Sequence, residues 1–160
     1  MKRGERNIYI TIAVLVVVMV VYRGYQEIEN PDPGIPFYTT ASQELQQKAD
    51  KIYKANKCSD CHTLWMVRNM MASVPAPALD GIGAIRNEEW FYNYLSAENP
   101  QDILPTRLSN TYKMPSYAHL PEDDRRTLAA YLASLKVEDW YLEETKKAEY
   151  EKLTGKKYQQ

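Results

Sequence analysis

The stretch "KCSDCHTLW", residues 57–65, holds both cysteines of the chain, Cys58 and Cys61, and one of its two histidines, His62. Three chemistries use such a cluster. Two thiols can cycle as a disulfide redox pair. Thiols and an imidazole can clamp a metal ion. Alternatively, two thiols can add to the vinyl groups on one porphyrin edge while the next residue turns its imidazole to the iron. That last arrangement has the signature C-x-x-C-H, and Cys58, Cys61 and His62 match it in order and spacing. A thioredoxin-like pair needs a βαβ setting, and the flanking sequence reads as helix and loop. Zinc held by Cys58, Cys61, His62 and His119 has the ligand count but poor spacing. A structural disulfide between Cys58 and Cys61 would close too small a loop to stabilise much.

A haem iron takes a sixth ligand unless it binds a gas or peroxide. The candidates are Met66, Met70, Met71, Met114 and His119. The first three follow His62 too closely to cross to the opposite face of a haem without a sharp reversal. Met114 lies in "YKMPSY", where Pro115 fixes the adjacent backbone and flanking loop gives the thioether reach. Met114 is therefore the expected ligand, with His119 as its rival. Histidine–methionine ligation raises the reduction potential and leaves no vacant position for oxygen chemistry.

Several elements must position these groups. Ile8 to Tyr22, "IYITIAVLVVVMVVY", is fifteen residues without a charge. With its edges it reaches about eighteen, or roughly 27 Å of helix, close to the hydrocarbon thickness of a bilayer. Lys2, Arg3 and Arg6 precede it against Glu5. That positive flank stays cytoplasmic and sends the C-terminus outward. A cleaved signal peptide is the rival, but "VVYRGYQE" offers little as a cleavage site. Residues 1–25 are therefore read as an uncleaved anchor and residues 26–39, with "ENPDPGIP", as a proline-rich linker. The haem domain follows at 40–136 and a charged extension at 137–160.

Within the domain, Thr40 with Gln43 fits a capping box. Leu45, Ala49, Ile52 and Tyr53 make an apolar helical stripe that runs into Cys58. Residues 64–86 read as loop. "NEEWFYNYLSA" reads as a helix capped by Asn87 with Trp90, Tyr94 and Leu95 inward. "PEDDRRTLAAYLASLK", Pro121 to Lys136, has its acids in the first turn and a stripe of Leu128, Tyr131, Leu132 and Leu135. The extension pairs Glu143 with Lys147 at i,i+4, and has too few apolar residues for a core of its own. No stretch has strand period long enough to build a sheet. The predicted class is all-α.

These motifs, in this order, resemble class I monohaem cytochromes c over about Leu45 to Lys136. The resemblance rests on the first helix, "CSDCH", "PAPAL", "EEWFYNYL", "KMPSY" and "LAAYLASL". It implies three main helices around one covalent haem c. It implies that the Pro77 carbonyl accepts a hydrogen bond from His62, that Leu79 packs on the haem, and that Tyr53 meets Tyr131 between the first and last helices. The family often has glycine before that proline, where this chain has Ala76. Arg86 and Trp90 are candidate partners for the haem carboxylates. "CHTL" is similar to cytochrome subunits of nitric oxide reductases, and "KMPSY" with "LAAYL" to those of cbb3-type oxidases.

The expected function is single-electron transfer in a respiratory chain, without substrate chemistry of its own. The chain would be a single-pass inner-membrane protein with a periplasmic haem domain. Its partners would be other membrane or periplasmic redox proteins, as a subunit of a hetero-oligomeric complex. The Met-rich loop and the charged tail favour that form over a free tethered shuttle. A peroxidase or gas sensor with displaceable Met114, and a thiol oxidoreductase using Cys58 and Cys61, are the alternatives. A net charge of −1 gives no basic excess for nucleic acid.

Overall fold

The computed structural model describes residues 3–29, 33–67, 74, 76–108 and 112–159. Residues 1–35 and 36–160 form two separate compact units.

The first unit is one helix, α1 (Arg3–Glu29). It is long and apolar enough to cross a membrane, and its apolar residues from Ile8 to Tyr22 are exposed. An apolar helix exposed all round has no aqueous explanation in its own unit, so α1 is compatible with membrane anchoring. It runs four residues past the expected boundary at 25, because Gln26 to Glu29 are not yet proline-interrupted.

The second unit is mostly helical: α2 (Gln43–Ala55), α3 (Glu88–Ser96), α4 (Glu122–Ser134) and α5 (Leu142–Thr154). Two short strands, β1 (Phe37–Thr39) and β2 (Leu135–Val137), pair antiparallel, with Phe37 opposite Val137 and Thr39 opposite Leu135. This corrects two expectations. Part of the supposed linker is built into the domain, and α4 stops before Leu135 and Lys136. Three residues are too few to show a strand period, so pairing across almost a hundred residues leaves no local signal.

α2 starts at Gln43 with Ser42 as its cap, the Ser42 hydroxyl accepting from Leu45 N–H at 3.2 Å. The predicted box at Thr40 is displaced because the chain through Thr39 is still strand, and Thr40 N–H donates to Ser134 O at 3.0 Å. Asn87 caps α3 as expected, its Oδ1 accepting from Trp90 N–H at 2.8 Å. Such caps contribute about 1 kcal/mol each. On α5, Glu143 pairs with Lys146 at 2.6 Å and Glu144 with Lys147 at 3.5 Å, so the i,i+3 partners displace the expected Glu143–Lys147 pair.

The core lies where α3 and α2 pack on α4. Ala49 and Tyr53 come from α2, Phe91 and Leu95 from α3, and Leu128, Ala129, Tyr131 and Leu132 from α4. Ala49 and Ala129 have no exposed surface, which allows close helix approach. A 3₁₀ turn at Ile82–Ala84 lies against the end of α4. Gly83 makes that approach possible, since a Cβ there would sit 2.3 Å from the Ala133 carbonyl oxygen.

Candidate functional site

The site begins where α2 ends. Asn56 closes the helix, its backbone N–H and its Nδ2 both donating to Ile52 O, at 3.0 and 2.8 Å. Lys57 then adopts a left-handed backbone, φ 52°, which costs an L-residue about 1–2 kcal/mol. That reversal sets Cys58–Asp60 into a single 3₁₀ turn. Cys61 N–H and His62 N–H both donate to Cys58 O, at 3.3 and 3.0 Å. Cys58, Cys61 and His62 thus share one tight turn. Cys58 is half-buried and Cys61 exposed.

His62 Nδ1 lies 2.8 Å from the Pro77 carbonyl oxygen. A carbonyl only accepts, so Nδ1 carries the hydrogen and Nε2 keeps its lone pair. Burial pushes the His62 pKa below its usual 6.5, against a weaker upward pull from Pro77. The imidazole is held neutral, the form that ligates a metal. The Pro77 segment is fixed in turn by Leu79 N–H donating to Thr63 O at 2.8 Å.

These groups face a cavity of about 160 Å³. Cys58, Cys61, His62, Pro77, Leu79, Trp90 and Met114 all line it. Phe91 and Leu95 of α3 and Leu128 and Leu132 of α4 make its walls largely apolar. Met114 is half-buried, and its loop is pinned at two points. Gln101 Nε2 donates to Met114 O at 3.0 Å, and Ser116 Oγ donates to Ala97 O at 2.7 Å. His119 is exposed and is not among the residues lining the cavity. Met66 is likewise absent from the wall and 63% exposed. Met70 and Met71 lie outside the described residues.

Burial pushes the thiols of Cys58 and Cys61 above the usual range. A dithiol redox centre works through thiols of lowered pKa, so the shift runs against that chemistry. Tyr117, its own pKa pushed to about 12 by burial, hydrogen-bonds the Cys58 thiol. Two thiols, a neutral imidazole with Nε2 available, and a thioether on one apolar cavity suit a flat apolar macrocycle with a metal centre.

Trp90 stacks on Tyr94, centroids 5.0 Å apart. The Arg86 guanidinium lies 5.0 Å from the Trp90 ring centroid, and its Nη2 is 3.3 Å from the Glu149 carboxylate. Arg86, expected to meet a carboxylate of the cofactor, pairs with one from α5. Glu149 and Leu153 of α5 both line the cavity, and sequence reasoning missed them. Thr145, Glu149 and Leu153 recur every fourth residue, a helix-face signal that was available. Arg107 secures this end of α5, its backbone N–H donating to Leu153 O at 3.2 Å and its Nε to Lys152 O at 3.3 Å.

The supposed loop after His62 contains a tight turn. Leu64 and Val67 pair across Trp65 and Met66, whose φ values are 53° and 59°. Positive φ is strained for such side chains. The turn is held by the buried Asp80, whose Oδ1 accepts from Met66 N–H at 3.1 Å, and by Trp65 Nε1 donating to Tyr131 Oη at 3.3 Å. Tyr53 and Tyr131 are both buried in the core that α2 and α4 share.

The sequence model of the cytochrome c family matches residues 46–136. No curated protein and no solved structure matches the chain.

Proposed function

Because this chain belongs to the cytochrome c family and so carries a covalently bound haem c, we propose that it passes single electrons in a respiratory chain, as a membrane-anchored subunit of a larger redox complex. Cys58 and Cys61 would hold the haem through thioether links, and His62 and Met114, which line the same cavity, would ligate its iron. The observation that carries this assignment is the 2.8 Å contact from His62 Nδ1 to Pro77 O. It frees Nε2 on a cavity that Met114 also lines. Bound there, a haem would supply one-electron redox chemistry at its iron.

The residues of the chain supply the rest. Pro77 holds His62 in one tautomer and orientation, as outer partners of ligating histidines do. Gln101 and Ser116 hold the Met114 loop. Leu79, Phe91, Leu95, Leu128 and Leu132 exclude water. Trp90 is the candidate partner of the haem carboxylates, and Arg86 beside it is paired with Glu149. With His62 and Met114 both on the cavity, the iron would keep no position open for substrate, which supports electron transfer over a peroxidase or gas sensor.

Met114→Ala is expected to leave the haem attached and to open the iron. The variant should bind carbon monoxide when reduced, and the wild type should not. Rapid binding by the wild type would favour the enzyme or sensor instead.

The orientation is argued from Lys2, Arg3 and Arg6 ahead of the apolar run Ile8 to Tyr22. Such a positive flank supports an N-terminus in the cytoplasm and a haem domain on the periplasmic side of an inner membrane. Trp65, Met66 and Val67, 39, 63 and 71% exposed, form an apolar tip close in sequence to His62 and support a docked rather than free domain. The charged tail no longer supports docking, since α5 is used within the domain. The motif likenesses point toward complexes of the nitric oxide reductase or cbb3-type oxidase kind, without choosing between them. Purification of the full chain in mild detergent is expected to bring other membrane redox subunits with it. Recovery of the chain alone would favour the tethered shuttle.

A further inference from the structure

We propose that Glu149 is a redox-linked proton site, taking up a proton when the haem iron takes up an electron and releasing it on oxidation. The inference rests on the haem reading above. Glu149 is the one acidic residue among the described residues lining the cavity. Its side chain is 11% exposed, so its charge is poorly hydrated. The cation paired with it is Arg86, at 3.3 Å, and Arg86 is shared with the Trp90 ring.

Other charged and titratable groups face it less directly. Lys113 and Tyr112 of the methionine loop, Lys57 beside the cysteines and Tyr94 of α3 line the same cavity. Arg107 is committed to the α5 carbonyls and Lys136 to Gly83 O at 2.6 Å. Burial pushes the Glu149 carboxyl above its ordinary 4.5, and Arg86 opposes this more weakly. A carboxylate so placed feels the charge of the iron across apolar walls, where charges interact strongly.

Reduction lowers the positive charge of the iron site by one unit and makes the carboxylate costlier to keep. One electron enters from a one-electron donor and one proton from solvent, and the O–H bond of Glu149 forms. On oxidation that bond breaks, and electron and proton leave together. The sign is fixed by this: between the pKa of the oxidised form and the higher pKa of the reduced form, the potential falls as pH rises. Below and above that window it is flat.

The test is the midpoint potential of the full haem-loaded protein against pH, read by spectroelectrochemistry. The wild type is expected to lose up to about 59 mV for each tenfold fall in proton activity, in the window between the pKa values of its oxidised and reduced forms. Glu149→Gln should be flat through that window, at the potential the wild type shows on its acid side. Glu149→Asp should keep a slope, which separates loss of the proton from loss of packing. Arg86→Gln should move the window to higher pH. A wild-type slope persisting in Glu149→Gln would assign the proton to the haem's own carboxylates and overturn the inference, as would a flat wild type. Failure of the haem reading looks different, because a denaturing gel would then show no haem on the polypeptide.

Discussion

Alanine at both Cys58 and Cys61 is expected to leave residues 36–160 close to unfolded. The helices that form the core, α2, α3 and α4, have 13, 9 and 13 residues. Isolated helices below about 12–15 residues are marginal in water, so these depend on what they pack against. Much of what Phe91, Leu95, Leu128 and Leu132 pack against is the cavity. With nothing tethered in it, about 160 Å³ of cavity costs roughly 4 kcal/mol at about 24 cal/mol per Å³. Domains of this size are stable by only about 5–15 kcal/mol. The apolar contact and the covalent restraint that the haem itself contributes are lost as well. Circular dichroism in detergent, after extraction of any non-covalent pigment, should show little more helix than the 27 residues of α1 supply. Wild-type helix content would show that the polypeptide carries the fold unaided.

Gly83→Ala is the second large effect. An added Cβ would meet Ala133 O at 2.3 Å, Ala133 C at 2.6 Å and Leu132 O at 2.6 Å. All three are backbone atoms of the last turn of α4, so no side chain can swing aside. Nor is that turn free to retreat. It leads directly into β2, which is paired to β1, and Ser134 O accepts from Thr40 N–H at 3.0 Å. Overpacking costs about 1–3 kcal/mol where neighbours can give, and here they cannot. A loss at or above about 3 kcal/mol should lower the melting temperature of the haem-loaded protein by roughly 10 °C or more. Gly24→Ala is the control, since nothing lies within 4 Å of a Cβ there. A Gly83→Ala protein that melts with the wild type would show that the 3₁₀ turn and α4 separate at little cost.

The parts legible in the sequence are those with a local signal. Asn87 ahead of two glutamates announces α3. Pro121 followed by three acids announces α4. The uncharged run from Ile8 to Tyr22 announces α1. Thr40 and Ser42 are both good caps, and only the pairing of β1 decides that Ser42 ends the extended segment. The turn at Trp65 and Met66 could not be read at all, since neither residue favours positive φ. It is imposed by Asp80 and Tyr131.

By itself the sequence determined the attachment chemistry, because the spacing of Cys58, Cys61 and His62 is covalent geometry within a single turn. It also determined the helical class, because apolar period is a property of neighbours. Tertiary structure alone decided what surrounds that chemistry. Arg86 and Glu149 meet across 63 positions, and β1 at Phe37–Thr39 meets β2 at Leu135–Val137. Such contacts follow from how loops close and helices stack, a global balance that no short stretch of residues records.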